Sequence, residues 1–184
     1  LKCMNNILNN SDSILVSNKS IKNRLNYFKK SSNVTKIKWP YKQKKITSKK
    51  HTQNSNNCII SYVGRISPQK GLEYFIEALI QIDCKKYSYL KVNIAGTAFE
   101  SDSNYFLLLQ TMAKSLNFIK INFIGWVSGQ NKTSLLKKSD YIILPSVYEP
   151  FGYILLEALN SMTPLIISNS DGPSEILDSS FAII

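Results

Sequence analysis

Two carboxylates flank a Phe-Gly pair in the stretch EPFGYILLEALNSM, which runs from Glu149 to Met162. Glu149 lies in a turn after the β-branched run YIILPSVY, and Glu157 lies inside an amphipathic helix, with seven residues between them. An ionised carboxylate only accepts hydrogen bonds, so such a pair can hold a polyhydroxylated ligand from two sides. Phe151 and Gly152 are expected to begin the helix, presenting free N–H groups at the positive end of its dipole. The plainer alternative is that both glutamates are solvated surface charges, and spacing alone leaves the two open. A second group stands earlier, in GRISPQKG from Gly64 to Gly71. There Arg65 and Lys70 bracket a Pro68 turn beside the start of a helix, an anion site suited to a diphosphate unless both cations are merely solvated. The pattern is neither GxxxxGK nor GxGxxG.

What is missing narrows the chemistry. His51 is the single histidine and stands in a polar stretch, so no His-centred triad or histidine zinc site can be built. The chain contains no DxD pair to carry a divalent metal on a diphosphate, and no metal is expected. Asp171, in SNSDGPSE, reads equally well as part of a turn and as a site residue.

Residues so placed need strands that end beside helix starts, and the pattern supplies them. CIISYVG is an almost wholly apolar strand, and GLEYFIEALIQI places Leu72, Phe75, Ile76, Leu79 and Ile80 at helical spacing. YLKVNIAG is the next strand, and Tyr105, Leu108, Leu109, Met112, Ala113 and Leu116 mark a second helix. KINFIG, a short helix over Thr133 to Lys138, YIILP, the helix carrying Glu157, PLIIS and FAII complete the series. On that helix Ile154, Leu155, Ala158, Leu159 and Met162 form the apolar stripe, which leaves Glu157 facing solvent or the crevice. Strand and helix alternate with short connections, so the fold class is α/β, a parallel sheet covered on both faces. Ligands of such sheets bind outside the carboxyl ends of the strands. Three successive strands end on Gly64, Gly96 and Gly125, where a backbone can approach a ligand closely or simply turn.

Hydrophobic content of 43% and charged content of 19% are those of a globular chain, and no run is long enough to cross a membrane. The net charge of +11 belongs to one end: residues 1–57 hold thirteen Lys/Arg against the single acid Asp12, and the remainder is nearly neutral. Before that boundary ILVS reads as a strand, KSIKNRLNYFKK as a helix and NVTKIKWP as a strand closed by Pro40. The glycine-free, polar stretch that follows reads as a linker. Cys3, Cys58 and Cys84 have no metal-ligand spacing and read as reduced thiols of a cytoplasmic protein.

GRISPQKG, VNIAG, FIGWVS, SDYIILPSVYEPFGYILLEAL and SDGPSEIL occur in the order and spacing of one family. Together they resemble the nucleotide-sugar-binding C-terminal domain of retaining GT-B glycosyltransferases, family 4 (glycosyl transferases group 1). The match runs from about Cys58 to the end, and SDSILVSNKSIKNRL more weakly resembles the close of that fold's N-terminal domain. The resemblance implies a Rossmann-like parallel sheet with helices on both faces, preceded by the tail of an N-terminal domain. It divides the chain into 1–42, the remnant of the acceptor domain, 43–57, a basic linker, and 58–184, an incomplete C-terminal domain. The expectation is therefore a fragment.

The function implied is metal-independent transfer of a sugar from a nucleoside diphosphate sugar to an acceptor hydroxyl, with retention, in glycan or polysaccharide biosynthesis. No cofactor is implied beyond that substrate. By the family's pattern Arg65, Lys70 and Glu149 are the catalytic residues: the cations hold the diphosphate and Glu149 takes the sugar's hydroxyls. Gly64, Gly96, Trp126, Val127, Phe151, Gly152 and Glu157 bind the donor, Glu157 at the ribose and Trp126 with Val127 at the base. The expected partners are the nucleoside diphosphate sugar and an acceptor glycan or lipid-linked sugar, with peripheral association to an anionic membrane and no specific nucleic acid. The location implied is cytoplasmic, at the inner membrane face where the basic arm meets lipid. The chain departs from the family's pattern in lacking most of the N-terminal domain, and Trp39-Pro40-Tyr41 replaces the usual Asn-Gly turn. The competing reading is a non-catalytic remnant that binds nucleotide or, through its basic third, RNA or anionic lipid, the latter weakening steeply with salt.

Overall fold

CIISYV carries no charge on either face, and it becomes the strand that pairs on both sides at the centre of the sheet. The structure, a computed structural model, describes residues 10–28, 34–37, 57–177 and 182–183. Cys3, the Trp39-Pro40-Tyr41 departure, His51 and nearly all of the linker lie outside the described residues.

In chain order the first unit is β1 (Ile14–Val16), α1 (Lys19–Phe28) and β2 (Val34–Lys36), with β1 and β2 pairing in parallel. The second unit begins with β3 (Cys58–Val63), a single 3-10 turn at Pro68–Lys70, α2 (Leu72–Ile82), β4 (Leu90–Ala95) and α3 (Ser103–Lys114). It continues with β5 (Lys120–Gly125), α4 (Gly129–Lys138), β6 (Tyr141–Leu144) and α5 (Tyr153–Asn160). β7 (Leu165–Ile167), α6 (Asp171–Ile176) and the two-residue β8 (Ala182–Ile183) complete it. All strands of the larger sheet run parallel, in the order β5-β4-β3-β6-β7-β8.

Both faces of this sheet are covered, as the uninterrupted apolar strands require. Neighbouring strand residues point to opposite faces, so Tyr62, Ile94 and Ile143 join a core under α2 and α3. Val63, Ala95 and Ile142 join a second core under α4 and α5. Among the described residues no helix is long and apolar enough to cross a membrane.

The helices depart from their expected stripes in three places. Ile80 is exposed, because its position lies at the edge of the stripe that Leu72, Phe75, Ile76 and Leu79 bury. On α3 Leu108 faces out and Phe106 takes its place inside, where its ring meets Phe123 of β5 edge-on at 5.4 Å. Met162 is not part of the α5 stripe either. The helix has ended by then, with Met162 N–H on the Leu159 carbonyl and Thr163 N–H on the Ala158 carbonyl. That is a Schellman cap, and it puts Met162 in the left-handed position (φ 52°) where glycine is usual. α4 also starts earlier than expected, at Gly129.

Asp83, just past α2, ties two connections together by accepting the backbone N–H groups of Asn117, Phe118 and Ile119. Desolvation pushes its carboxyl up, but the three donors outweigh this and hold it below the usual carboxylate range. A carboxyl depressed on folding contributes stability above its unfolded pKa and loses it as pH falls through the folded value. Asp83→Asn is therefore expected to lower the melting temperature at neutral pH and to weaken the loss of stability below about pH 4. Melting curves of the two proteins at several pH values measure both effects.

Candidate functional site

The sheet order reverses between β3 and β6: from β3 the chain steps outward through β4 to β5, then returns to β6 and continues the other way. A crevice opens at such a switch point, between loops that leave neighbouring strands in opposite directions. Here the loops are residues 64–71 after β3 and 145–152 after β6. They are fastened to each other, since the N–H groups of Val147 and Tyr148 both donate to the Gln69 carbonyl, at 3.0 and 3.3 Å. Gly71 adopts the left-handed conformation (φ 61°), and a Cβ there would stand 2.2 Å from the Pro145 carbonyl oxygen. Only glycine lets the two loops approach this closely.

Between them lies a cavity of about 390 Å³ lined by both loops and by the first turn of α5. Lys70 and Glu149 meet across it in an ion pair of 2.5 Å, and Glu149 is 8% exposed. Arg65 stands on the rim with its guanidinium 5.3 Å from the centre of the Phe99 ring, donating to Gln69 Oε1 at 3.3 Å. Gly64 lines the wall, and Tyr62, fully buried, lies beneath it. The Tyr62 hydroxyl donates to the Arg65 carbonyl at 2.6 Å, which fixes the chain direction at the rim. Burial, followed by the Glu149 carboxylate and Tyr105, pushes the Tyr62 phenol far above its ordinary pKa, so it remains a neutral donor. Tyr62 is not among the site residues expected from the sequence, although its place two residues before the first strand-ending glycine is a signal.

α5 starts at Tyr153, two residues later than expected. Gly152 is its left-handed cap (φ 82°), and Phe151 precedes the helix. The Phe151 N–H is aimed at Glu149 Oε1, at 3.5 Å, and its ring leans on Tyr153 with centroids 5.0 Å apart. Thus Gly64, Arg65, Lys70, Glu149 and Gly152 come together in the cavity wall, and Phe151 reaches it only through its N–H on Glu149. Glu157 does not line this cavity. It pairs instead with Lys132 of α4 at 2.5 Å, with both side chains half-buried. Nothing in the sequence marked Lys132.

A second cavity of about 450 Å³ opens at the ends of β4 and β5, lined by Gly96, Phe99, Phe106, Phe123 and Gly125 among others. Trp126 is 69% exposed nearby in sequence, whereas Val127 turns inward and packs on the second core. Gly96 has a reason to be glycine that involves no ligand, since a Cβ would stand 1.8 Å from the Gly64 carbonyl oxygen. Asp171-Gly172-Pro173 forms the first turn of α6, and the Gly172 N–H donates to the Glu149 carbonyl at 3.0 Å. This motif therefore braces the site from behind. Among the described residues no three His, Cys, Asp or Glu side chains gather as a metal would need.

The crevice can hold an anion beside a hydroxylated group. Residues 43–182 match the family described as glycosyl transferases group 1. The chain belongs to that family. Among curated proteins this glycosyl transferases group 1 chain is 37% identical over 119 residues to uncharacterized glycosyltransferase MJ1607 of Methanocaldococcus jannaschii. That stretch is 65% of this chain and 29% of the relative, so the chain spans under a third of its length. Among solved structures, Anabaena Alr3699/HepE in complex with UDP-glucose superposes with a TM-score of 0.76 at 20% identity. The likeness covers 98% of this chain and 52% of that one. A TarM mutant from S. aureus, in complex with UDP among other ligands, gives 0.78 at 19% identity, covering 97% and 34%. The fold is the GT-B type that the motifs imply.

Proposed function

We propose that this chain binds a nucleoside diphosphate sugar in the crevice and supplies the donor half of a retaining, metal-independent glycosyltransferase. The observation that carries the reading is the Lys70–Glu149 pair at the switch point, with Arg65 on the rim. The complexes of Alr3699/HepE with UDP-glucose and of TarM with UDP support it at the level of a shared fold. A diphosphate carries more negative charge than one carboxylate, so it displaces Glu149 from Lys70 and draws in Arg65. Glu149 is then free to accept hydrogen bonds from the hydroxyls of the sugar. Glu157 takes the ribose, and the cavity over β4 and β5 takes the base beside Trp126.

As the bond from the anomeric carbon to the diphosphate breaks, its electron pair passes to the phosphate oxygen. Fixed cations facing that oxygen stabilise the transition state without reorganisation. The acceptor hydroxyl, on a glycan or lipid-linked sugar, forms the new bond on the face the diphosphate leaves, and its proton passes to the departing phosphate oxygen. Residues 1–42 are the end of an acceptor domain in this reading, and the Lys-rich end associates with anionic membrane.

A thermal-shift series with UDP, GDP, ADP and their sugar conjugates tests this, with Glu157→Ala alongside. One nucleotide is expected to raise the melt, by an amount equivalent to about 2.7 kcal/mol at a hundred times its dissociation constant. The shift should persist in EDTA and shrink in the variant. A melt indifferent to every nucleotide would sink the proposal and favour a remnant that binds nothing in the crevice.

A further inference from the structure

We infer that Asn18, in the unit formed by β1, α1 and β2, is a positioning residue for the sugar-contacting loop around Glu149. Asn18 is 2% exposed and lies 132 positions from Pro150, yet its Nδ2 donates to the Pro150 carbonyl at 2.8 Å. Its Oδ1 accepts the Ile21 N–H at 2.7 Å, at the start of α1. The two partners demand opposite ends of the amide, so the side chain cannot turn over without losing both bonds.

Two consecutive carbonyls of the loop are thereby held from two different units. The Glu149 carbonyl accepts the Gly172 N–H of α6 at 3.0 Å, and the Pro150 carbonyl accepts Asn18. α6 lies flush against the same peptide, where a Cβ on Gly172 would stand 2.4 Å from the Glu149 oxygen. The two braces are fastened together by Glu175 of α6. Its Oε1 accepts the N–H groups of Lys19 and Ser20, and its Oε2 meets Lys36 Nζ at 2.5 Å. Glu149 sits at the centre of this arrangement, its carboxylate in the cavity, its own carbonyl held by α6 and the next carbonyl held by Asn18. The first unit therefore acts on the sugar subsite directly, by fixing where the Glu149 carboxylate can reach. Lys70 and Arg65 belong to the other loop, which neither hydrogen bond of Asn18 reaches.

This inference rests on the reading that Glu149 contacts the donor sugar. The sharp variant is Asn18→Ser, which retains a cap for α1 but cannot reach the Pro150 carbonyl. Asn18→Asp retains the cap and puts a carboxylate against that carbonyl, so its effects should be larger. Two measurements on the full chain read the outcome. Without ligand, amide exchange at Phe151 and Gly172 is expected to be about tenfold faster in Asn18→Ser, and unchanged exchange overturns the inference. With UDP, GDP or ADP and the corresponding sugar conjugates, the nucleotide's affinity should stay within about twofold of wild type. The extra affinity due to the sugar should fall about tenfold. If Glu149→Ala abolishes that extra affinity and Asn18→Ser leaves it whole, the inference is wrong and the reading of Glu149 stands. If Glu149→Ala leaves it whole, the reading itself has failed.

Discussion

Lys70→Met is expected to cost about 3 kcal/mol of folding stability and to reduce nucleoside diphosphate affinity about a hundredfold. The lysine and Glu149 lie 2.5 Å apart with side chains 17% and 11% exposed, so removing one partner strands a desolvated charge. Lys70→Met combined with Glu149→Gln leaves no charge to strand. That double variant should recover most of the stability in guanidinium unfolding while its affinity, measured by calorimetry, stays low. If the double variant remains as unstable as the single one, the ion pair is not what the site loses. If either protein binds a nucleoside diphosphate as wild type does, Lys70 is not its anchor.

Gly96→Ala is expected to destabilise the sheet by about 3 kcal/mol or more. The added methyl would stand 1.8 Å from the Gly64 oxygen and 3.0 Å from its carbonyl carbon. Neither backbone can yield cheaply, because Gly64 N–H is bonded to the Ala95 carbonyl and Gly96 N–H to the Gly125 carbonyl. Gly125→Ala is the contrasting case. Its Cβ would meet nothing within 4 Å, and its φ of 73° alone should cost about 1 kcal/mol. Denaturant midpoints for the two variants separate a clash from a conformational penalty, and equal losses would contradict the packing argument.

The contrast shows where sequence patterning reached its limit. The strand-ending glycines were legible, but not what separates them: Gly125 answers to its own φ, whereas Gly96 answers to the Gly64 carbonyl just past another strand, which nothing nearby in sequence encodes. The helical stripes were legible to within a position or two, because 3.6-residue periodicity needs no partner. Leu108 and Phe106 exchanged roles because Phe123, from a separate strand, offered an edge for one ring. Glu149 and Glu157 were legible as a pair, yet the cations that hold them lie 79 and 25 residues away, and only Lys70 carried a local signal.

By itself the sequence determined the α/β alternation, the parallel sheet and the two loops that carry Arg65, Lys70 and Glu149. Those depend on periodicity, turn chemistry and residue type, all of which are local. The tertiary structure alone decided that β3 and β6 become neighbours where the order reverses, which turns two loops into one crevice. It also decided that Tyr62 and Asn18 hydrogen-bond to the loops around it, and that Lys132 pairs with Glu157. A hydrogen bond between side chain and backbone across 132 residues leaves no periodic trace in a chain, because only folding brings its two ends together.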